Sequence, residues 1–121
     1  MIIRVIEKDF SVCQVDDIAK IDLRDEYLFL SKTDEEISIV CETSKMPNNT
    51  IQCEIGWKAF KIQGVLDFSL VGILAKISSL LAQNSIPLFA VSTFNTDYIL
   101  VKQDNFQKSL DVLSNNGYEI L

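Results

Sequence analysis

Between Trp57 and Leu121 the spacing of apolar residues switches period several times, and the order of the switches leaves few folds open. "WKAFKIQGV" (57–65) alternates, with Phe60 and Ile62 on one side and Lys61 and Gln63 on the other, which is the period of a half-buried strand. Leu70, Ile73, Leu74, Ile77 and Leu81 then fall on one helical stripe, with Lys76, Ser79 and Gln83 opposite. That spacing predicts a helix from about Ser69 to Gln83, closing near Asn84 ahead of Pro87. "IPLFAVSTF" (86–94) and "TDYILVK" (96–102) are β-rich runs joined at Asn95, a hairpin. Asp104 is placed to cap a second helix in which Phe106, Leu110 and Leu113 share a face and Asn116-Gly117 closes the end. "YEIL" completes the run as a strand. The order β-α-β-β-α-β is the ferredoxin-like α+β motif. With right-handed crossovers it gives a four-stranded antiparallel sheet with both helices on one face.

The first half reads as a reduced copy. "LSKTDEEISIV" (30–40) aligns without a gap on "VSTFNTDYILV" (91–101), setting Ser31 on Ser92, Glu36 on Asp97 and Val40 on Val101. "FSVCQV" (10–15) matches "FKIQGV" (60–65), and "NNTIQCEI" (48–55) echoes "NNGYEI" (115–120), in the same order. "DDIAKID" has room for a turn or two of helix, and "ETSKMP" for a short helical turn. "MIIRVI" adds a leading strand. The expected organisation is two tandem modules without a linker, a reduced one at 1–56 and a complete one at 57–121.

Charge and composition narrow the function. The formal net charge is −6, opposite in sign to what phosphate binding requires, so neither nucleic acid nor an anionic membrane surface is an expected partner. Charged residues interrupt every apolar run before it reaches the roughly 18 residues of a membrane span, and "MIIRVIEKD" is unlike a secretory signal. A cytoplasmic location follows by default. The chain has no histidine, which removes the commonest general base and metal ligand and any Ser-His or Cys-His pair. No metal-ligand spacing, phosphate loop or dinucleotide fingerprint is present, so no cofactor and no catalysis are expected. Cys13, Cys41 and Cys53 sit in strand-like contexts without C-x-x-C and read as buried, reduced thiols.

Three polar clusters interrupt the apolar pattern. "GVLDFSLVGIL" (64–74) places Asp67 and Ser69 at the approach to the first long helix. These groups suit either a helix cap or a cradle, because unpaired N–H groups attract a carboxylate and Asp67 would hold an ammonium. "STFNTDY" (92–98) offers hydroxyls and a carboxylate at a hairpin, and ordinary turn chemistry accounts for the same residues. "TDEE" (33–36) reads as a solvated turn.

The stretch "GWKAFKIQGVLDFSLVGILAKISSLLAQNSIPLFAVSTFNTDYILVK", with "DFSVCQV" and "FLSKTDEEISIVC" before it, resembles the ACT-domain proteins of the CASTOR-type family, including short bacterial members with two tandem ACT modules. The resemblance implies a regulatory sensor that binds an amino acid at an interface between modules, with a homodimer completing the pocket. It implies a site made by Val65, Leu66, Asp67, Phe68 and Ser69 of the strand-to-helix loop, with Ser92, Thr93, Thr96 and Asp97 of the hairpin. Many ACT modules follow the loop aspartate closely with Pro-Gly, whereas Asp67 is followed by Phe-Ser, so ligand chemistry does not transfer from other subfamilies. The alternatives are a protein-interaction module that has lost its ligand and, against the charge, an RNA-binding ferredoxin-like sheet.

Overall fold

The computed structural model describes residues 1–63 and 72–121. Their elements are β1 (Ile2–Val15), β2 (Leu28–Lys32), β3 (Ile37–Glu42), β4 (Thr50–Ile62), α1 (Ile73–Gln83), β5 (Phe89–Ser92), β6 (Asp97–Lys102), α2 (Phe106–Asn115) and β7 (Glu119–Ile120). Single 3-10 turns follow β3 at Thr43–Lys45 and β6 at Gln103–Asn105. Two compact units emerge, Lys8–Trp57 and Met1–Glu7 with Lys58–Leu121, and β1 and β4 each contribute residues to both.

In the larger unit the alternation and the helical stripes bury the residues they predict. Phe60 and Ile62 of β4, Ile99 and Val101 of β6, and Ile77 and Leu81 of α1 form the core with Ile3 and Leu113. Phe106 and Leu110 of α2 lie against it, with the Phe60 and Phe106 rings 6.5 Å apart. The strand order is β7-β1-β4-β6-β5. It departs from the expected four antiparallel strands in one respect: the leading strand stands between β7 and β4. Ile2 and Ile3 pair in parallel with Glu119 and Ile120, and the Gln63 N–H donates to the Ile2 carbonyl at 2.9 Å. Ile3 is fully buried there, so the sheet gains apolar area as well as hydrogen bonds.

The start of α1 also differs. Gly72, with φ +79° and ψ 1°, is the N-cap, and that left-handed backbone cannot continue a helix, so α1 begins at Ile73; the expected start near Ser69 lies outside the described residues. Asp104 lies within the 3-10 turn, and the residue before α2 is Asn105, which makes no side-chain cap.

Both helices end in one way. After α2, Tyr118 N–H donates to Leu113 O (3.1 Å) and Gly117 N–H to Ser114 O (3.2 Å), with Gly117 at φ +92°. After α1, Ile86 N–H donates to Leu81 O (3.0 Å) and Ser85 N–H to Ala82 O (3.0 Å), with Ser85 at φ 60°. This is the Schellman arrangement twice, each time with an apolar residue beyond the left-handed one returning to the core. Asn84 and Asn116 repeat a further detail, each donating its side-chain amide to the carbonyl four residues back.

In Lys8–Trp57 the strand order is β2-β3-β1-β4. Cys13, Val15, Ile39 and Cys41 form its small core, with Ile21, Leu28, Ile37 and Met46 against them. Residues 16–27 make turns in place of the expected helix, two of them closed by the Asp17 and Asp22 carboxylates on the Ala19 and Arg24 N–H groups. Cys13 and Cys53 are joined as a disulfide between β1 and β4, their Cα atoms 4.3 Å apart. The expectation of three buried thiols therefore holds for Cys41 alone. Alternation hid the pairing: opposed positions on neighbouring antiparallel strands lie within disulfide reach, and nothing local marks which positions oppose.

The hairpins β2-β3 and β5-β6 share a build. Each is closed by a four-residue loop whose first N–H donates to its last carbonyl at 2.9 Å, Thr33 to Glu36 and Thr93 to Thr96. Pairing Lys32↔Ile37 corresponds to Ser92↔Asp97, and the two 3-10 turns follow at equivalent places. Thr33 thus matches Thr93, one residue away from the gapless alignment that put Ser31 on Ser92. Shared side chains favoured one offset; loop hydrogen bonding fixes the other.

Candidate functional site

Of the nine expected site residues, Val65, Leu66, Asp67, Phe68 and Ser69 lie outside the described residues, as does the choice between cap and cradle at Asp67. The other four meet at the β5-β6 hairpin. Ser92 ends β5 and Asp97 begins β6, and the Ser92 hydroxyl donates to Asp97 Oδ1 at 2.6 Å. Thr93 and Thr96 close the loop: the Thr93 hydroxyl donates to the Thr96 carbonyl (3.0 Å) and accepts from the Thr96 N–H (3.3 Å). Thr96, only 6% exposed, sends its own hydroxyl to the Ile62 carbonyl at the end of β4, 2.8 Å away.

These bonds have a chemical consequence. The Ser92, Thr93 and Thr96 hydroxyl protons are committed within the protein, so the hairpin offers a ligand spare acceptor lone pairs more readily than donors. Among the described residues the other Asp97 carboxylate oxygen accepts from no side chain, and such an oxygen suits an ammonium group. Phe94, at the tip, is 80% exposed. The "TDEE" turn is closed by the Thr33 hydroxyl accepting from the Glu35 and Glu36 N–H groups, as a solvated turn would be.

Sequence reasoning missed a second location. A cavity of about 300 Å³ opens at the start of α1, lined by Gly72, Ile73, Lys76, Asn116, Gly117 and Tyr118 together with Met1. Lys76 is exposed, as its place opposite the apolar stripe implies, and a residue as far along the chain as Tyr118 gives no local sign of meeting it. The Lys76 ammonium lies 5.9 Å from the centre of the Tyr118 ring. A further hollow of about 270 Å³ lies over the disulfide, lined in part by Gln14, Ser38, Gln52 and Glu54. Among the described residues no three His, Cys, Asp or Glu side chains converge as a metal site would require.

An α+β unit with the β-α-β-β-α-β order and a polar hairpin at one end is a ferredoxin-like module. The model of the ACT domain matches residues 52–115, more than half of the sequence, and the chain belongs to the ACT-domain family. ACT domains are small-molecule-binding regulatory modules. Among solved structures the chain is similar to a protein from Agobacterium tumefaciens, 30% identical, with a TM-score of 0.86 over 98% of this chain and 90% of that one. It is similar in fold alone to the ligand-free regulatory subunit of aspartate kinase from Thermus thermophilus, 7% identical, TM-score 0.65, over 93% of this chain and 95% of that one. The same holds for aspartate kinase from Clostridium acetobutylicum, 13% identical, TM-score 0.66, where 90% of this chain covers 33% of the other. A sequence comparison with curated proteins gives no match. No described helix is long and apolar enough to cross a membrane.

Proposed function

We propose that this chain is a CASTOR-type regulator of two tandem ACT modules that binds an amino acid at a module interface and acts as a homodimer. The observation that carries the reading is the ACT-domain match over residues 52–115. The common build of the β2-β3 and β5-β6 hairpins supports a duplicated module. Val65, Leu66, Asp67, Phe68 and Ser69 would face the ligand with Ser92, Thr93, Thr96 and Asp97, and Asp67 would hold the ammonium.

A thermal-shift screen against the twenty amino acids tests this. A ligand at 100 times its Kd adds about 2.7 kcal/mol of stability, a readily measured shift. Asp67→Ala is expected to abolish that shift. No response to any amino acid would sink the amino-acid assignment, and a monomer at all concentrations in sedimentation would sink the dimer. One observation favours a second reading, an interaction module without a ligand: the three hairpin hydroxyls already donate within the protein. Under that reading a protein partner co-purifies and metabolites leave stability unchanged.

A further inference from the structure

We propose that Cys53 is a thiol-exchange site. A dithiol reductant attacks its sulfur in the folded protein and opens the Cys13–Cys53 disulfide through a mixed disulfide at Cys53, with Cys13 as the resolving thiol. This assignment is independent of what the chain binds and of whether it dimerises.

The two halves of the disulfide stand in opposite surroundings. Cys13 is 1% exposed and packs with Val15, Ile39 and Cys41, whereas Cys53 is exposed. The sheet order explains the difference. In the unit Lys8–Trp57 the order is β2-β3-β1-β4, so Cys13 lies on an inner strand with Ile39 opposite it on β3. Cys53 lies on β4, the last strand of that order. Exchange requires the attacking sulfur to approach in line, from the side away from the leaving sulfur. At Cys53 that side is the edge of the unit's sheet; at Cys13 it is β3 and the core. Access therefore selects which sulfur is attacked.

Burial of Cys13 also decides which reductants succeed. The reductant's thiolate bonds to Cys53 Sγ as the Cys13–Cys53 bond breaks, and Cys13 leaves with the electron pair and takes up a proton. Cys13 stays beside the mixed disulfide, on the strand next to Cys53, and can attack Cys53 in return. A monothiol is thereby expelled and the original bond restored. A dithiol escapes this reversal, because its second thiol attacks its own sulfur in the mixed disulfide and releases Cys53. Two electrons pass: the dithiol becomes a disulfide, and Cys13 and Cys53 become thiols. Cys41 takes neither part. The register Cys13↔Ile39 and Ser11↔Cys41 sets it two residues from the position opposite Cys13. Such diagonal neighbours stand about 7–8 Å apart, beyond the roughly 7 Å that a disulfide spans.

Two measurements on the full chain test the assignment. With wild-type protein and no denaturant, the rate of reduction is expected to rise in proportion to dithiothreitol concentration. A plateau at the unfolding rate would show that the disulfide opens only on unfolding, and would overturn the proposal. This measurement needs no substitution, so it decides the matter even where a serine variant does not fold. With oxidised glutathione as the probe, Cys13→Ser is expected to form a stable adduct at Cys53, located by peptide mass. That adduct should form at least roughly tenfold faster than one at Cys13 in Cys53→Ser. Equal rates in the two variants would also overturn the proposal. Reduced wild-type protein given the same probe should return to the Cys13–Cys53 bond; a lasting adduct would refute Cys13 as the resolving thiol.

Discussion

The two helix ends differ chemically at one position, and that permits a quantitative test. Gly117 supplies the left-handed residue after α2 without strain, whereas Ser85 holds φ 60° after α1. A side chain in that region costs about 1–2 kcal/mol relative to the right-handed conformation. Glycine removes the cost but has a more flexible unfolded chain, which returns roughly 0.4–1 kcal/mol. Ser85 is exposed and its hydroxyl holds no described group, so nothing else is lost on truncation. The flanking bonds from Ile86 to Leu81 and from Asn84 to Leu80 use groups the substitution leaves intact. Ser85→Gly is therefore expected to stabilise the protein by about 0.5–1 kcal/mol, moving the thermal midpoint up by a few degrees. Gly117→Ser should lose a similar amount. Urea denaturation followed by far-UV circular dichroism gives both values, provided the m-value is unchanged. If Ser85→Gly lowers the midpoint, or Gly117→Ser leaves it untouched, conformational strain does not govern these helix ends.

Three further outcomes are expected. Cys13 and Cys53 enclose a separation of 40 residues, so Cys53→Ser or full reduction should cost about 4 kcal/mol by chain entropy, read as a lower urea midpoint; reductant-insensitive stability would refute the pairing. Burial, with the Asp25 and Glu42 charges, pushes the Cys41 thiol up to about 11. The unfolded chain ionises this group at lower pH than the folded one does, so its contribution is intact below about pH 8.5 and is lost as pH rises towards 11. Cys41→Ala should flatten that alkaline decline, and native Cys41 should resist alkylation at pH 8; rapid labelling there would contradict the burial. Thr96→Val removes the bond to the Ile62 carbonyl and should cost about 1–2 kcal/mol by urea denaturation; an unchanged midpoint would show the bond to be idle.

The α+β class and its core were legible because they rest on local periodicity. Ile77, Leu81, Phe60, Ile62 and Leu113 could be assigned to the interior from spacing alone, and Asn84 and Asn116 to the helix ends. What was missed depends on which distant segments meet. No pattern within "MIIRVI" indicates that it pairs with Glu119 and Ile120, and no pattern around Cys13 indicates Cys53. The hairpin offset failed by one residue because side-chain identity was weighed against backbone hydrogen bonding. Ser92, Thr93, Thr96 and Asp97 were correctly placed together, since a turn gathers its own neighbours. Lys76 and Tyr118 are brought together by α1, α2 and the loop after α2, which local spacing does not encode.

Where β1 stands has a consequence for how the chain reaches its structure. On one side of β1 the Met1 and Ile3 carbonyls accept from the Glu119 and Leu121 N–H groups, and on the other the Ile2 carbonyl accepts from Gln63 N–H, as the order β7-β1-β4 requires. During synthesis Ile2 and Ile3 emerge before residues 119–121, and β7 can close on them only after Glu119 and Leu121 have been made. Folding of this unit is thus bound to a contact spanning nearly the whole sequence, of the kind that slows folding and leaves a strand edge open meanwhile. Until then the buried position of Ile3 is incomplete, and the nascent protein depends on the rest of its length to cover it.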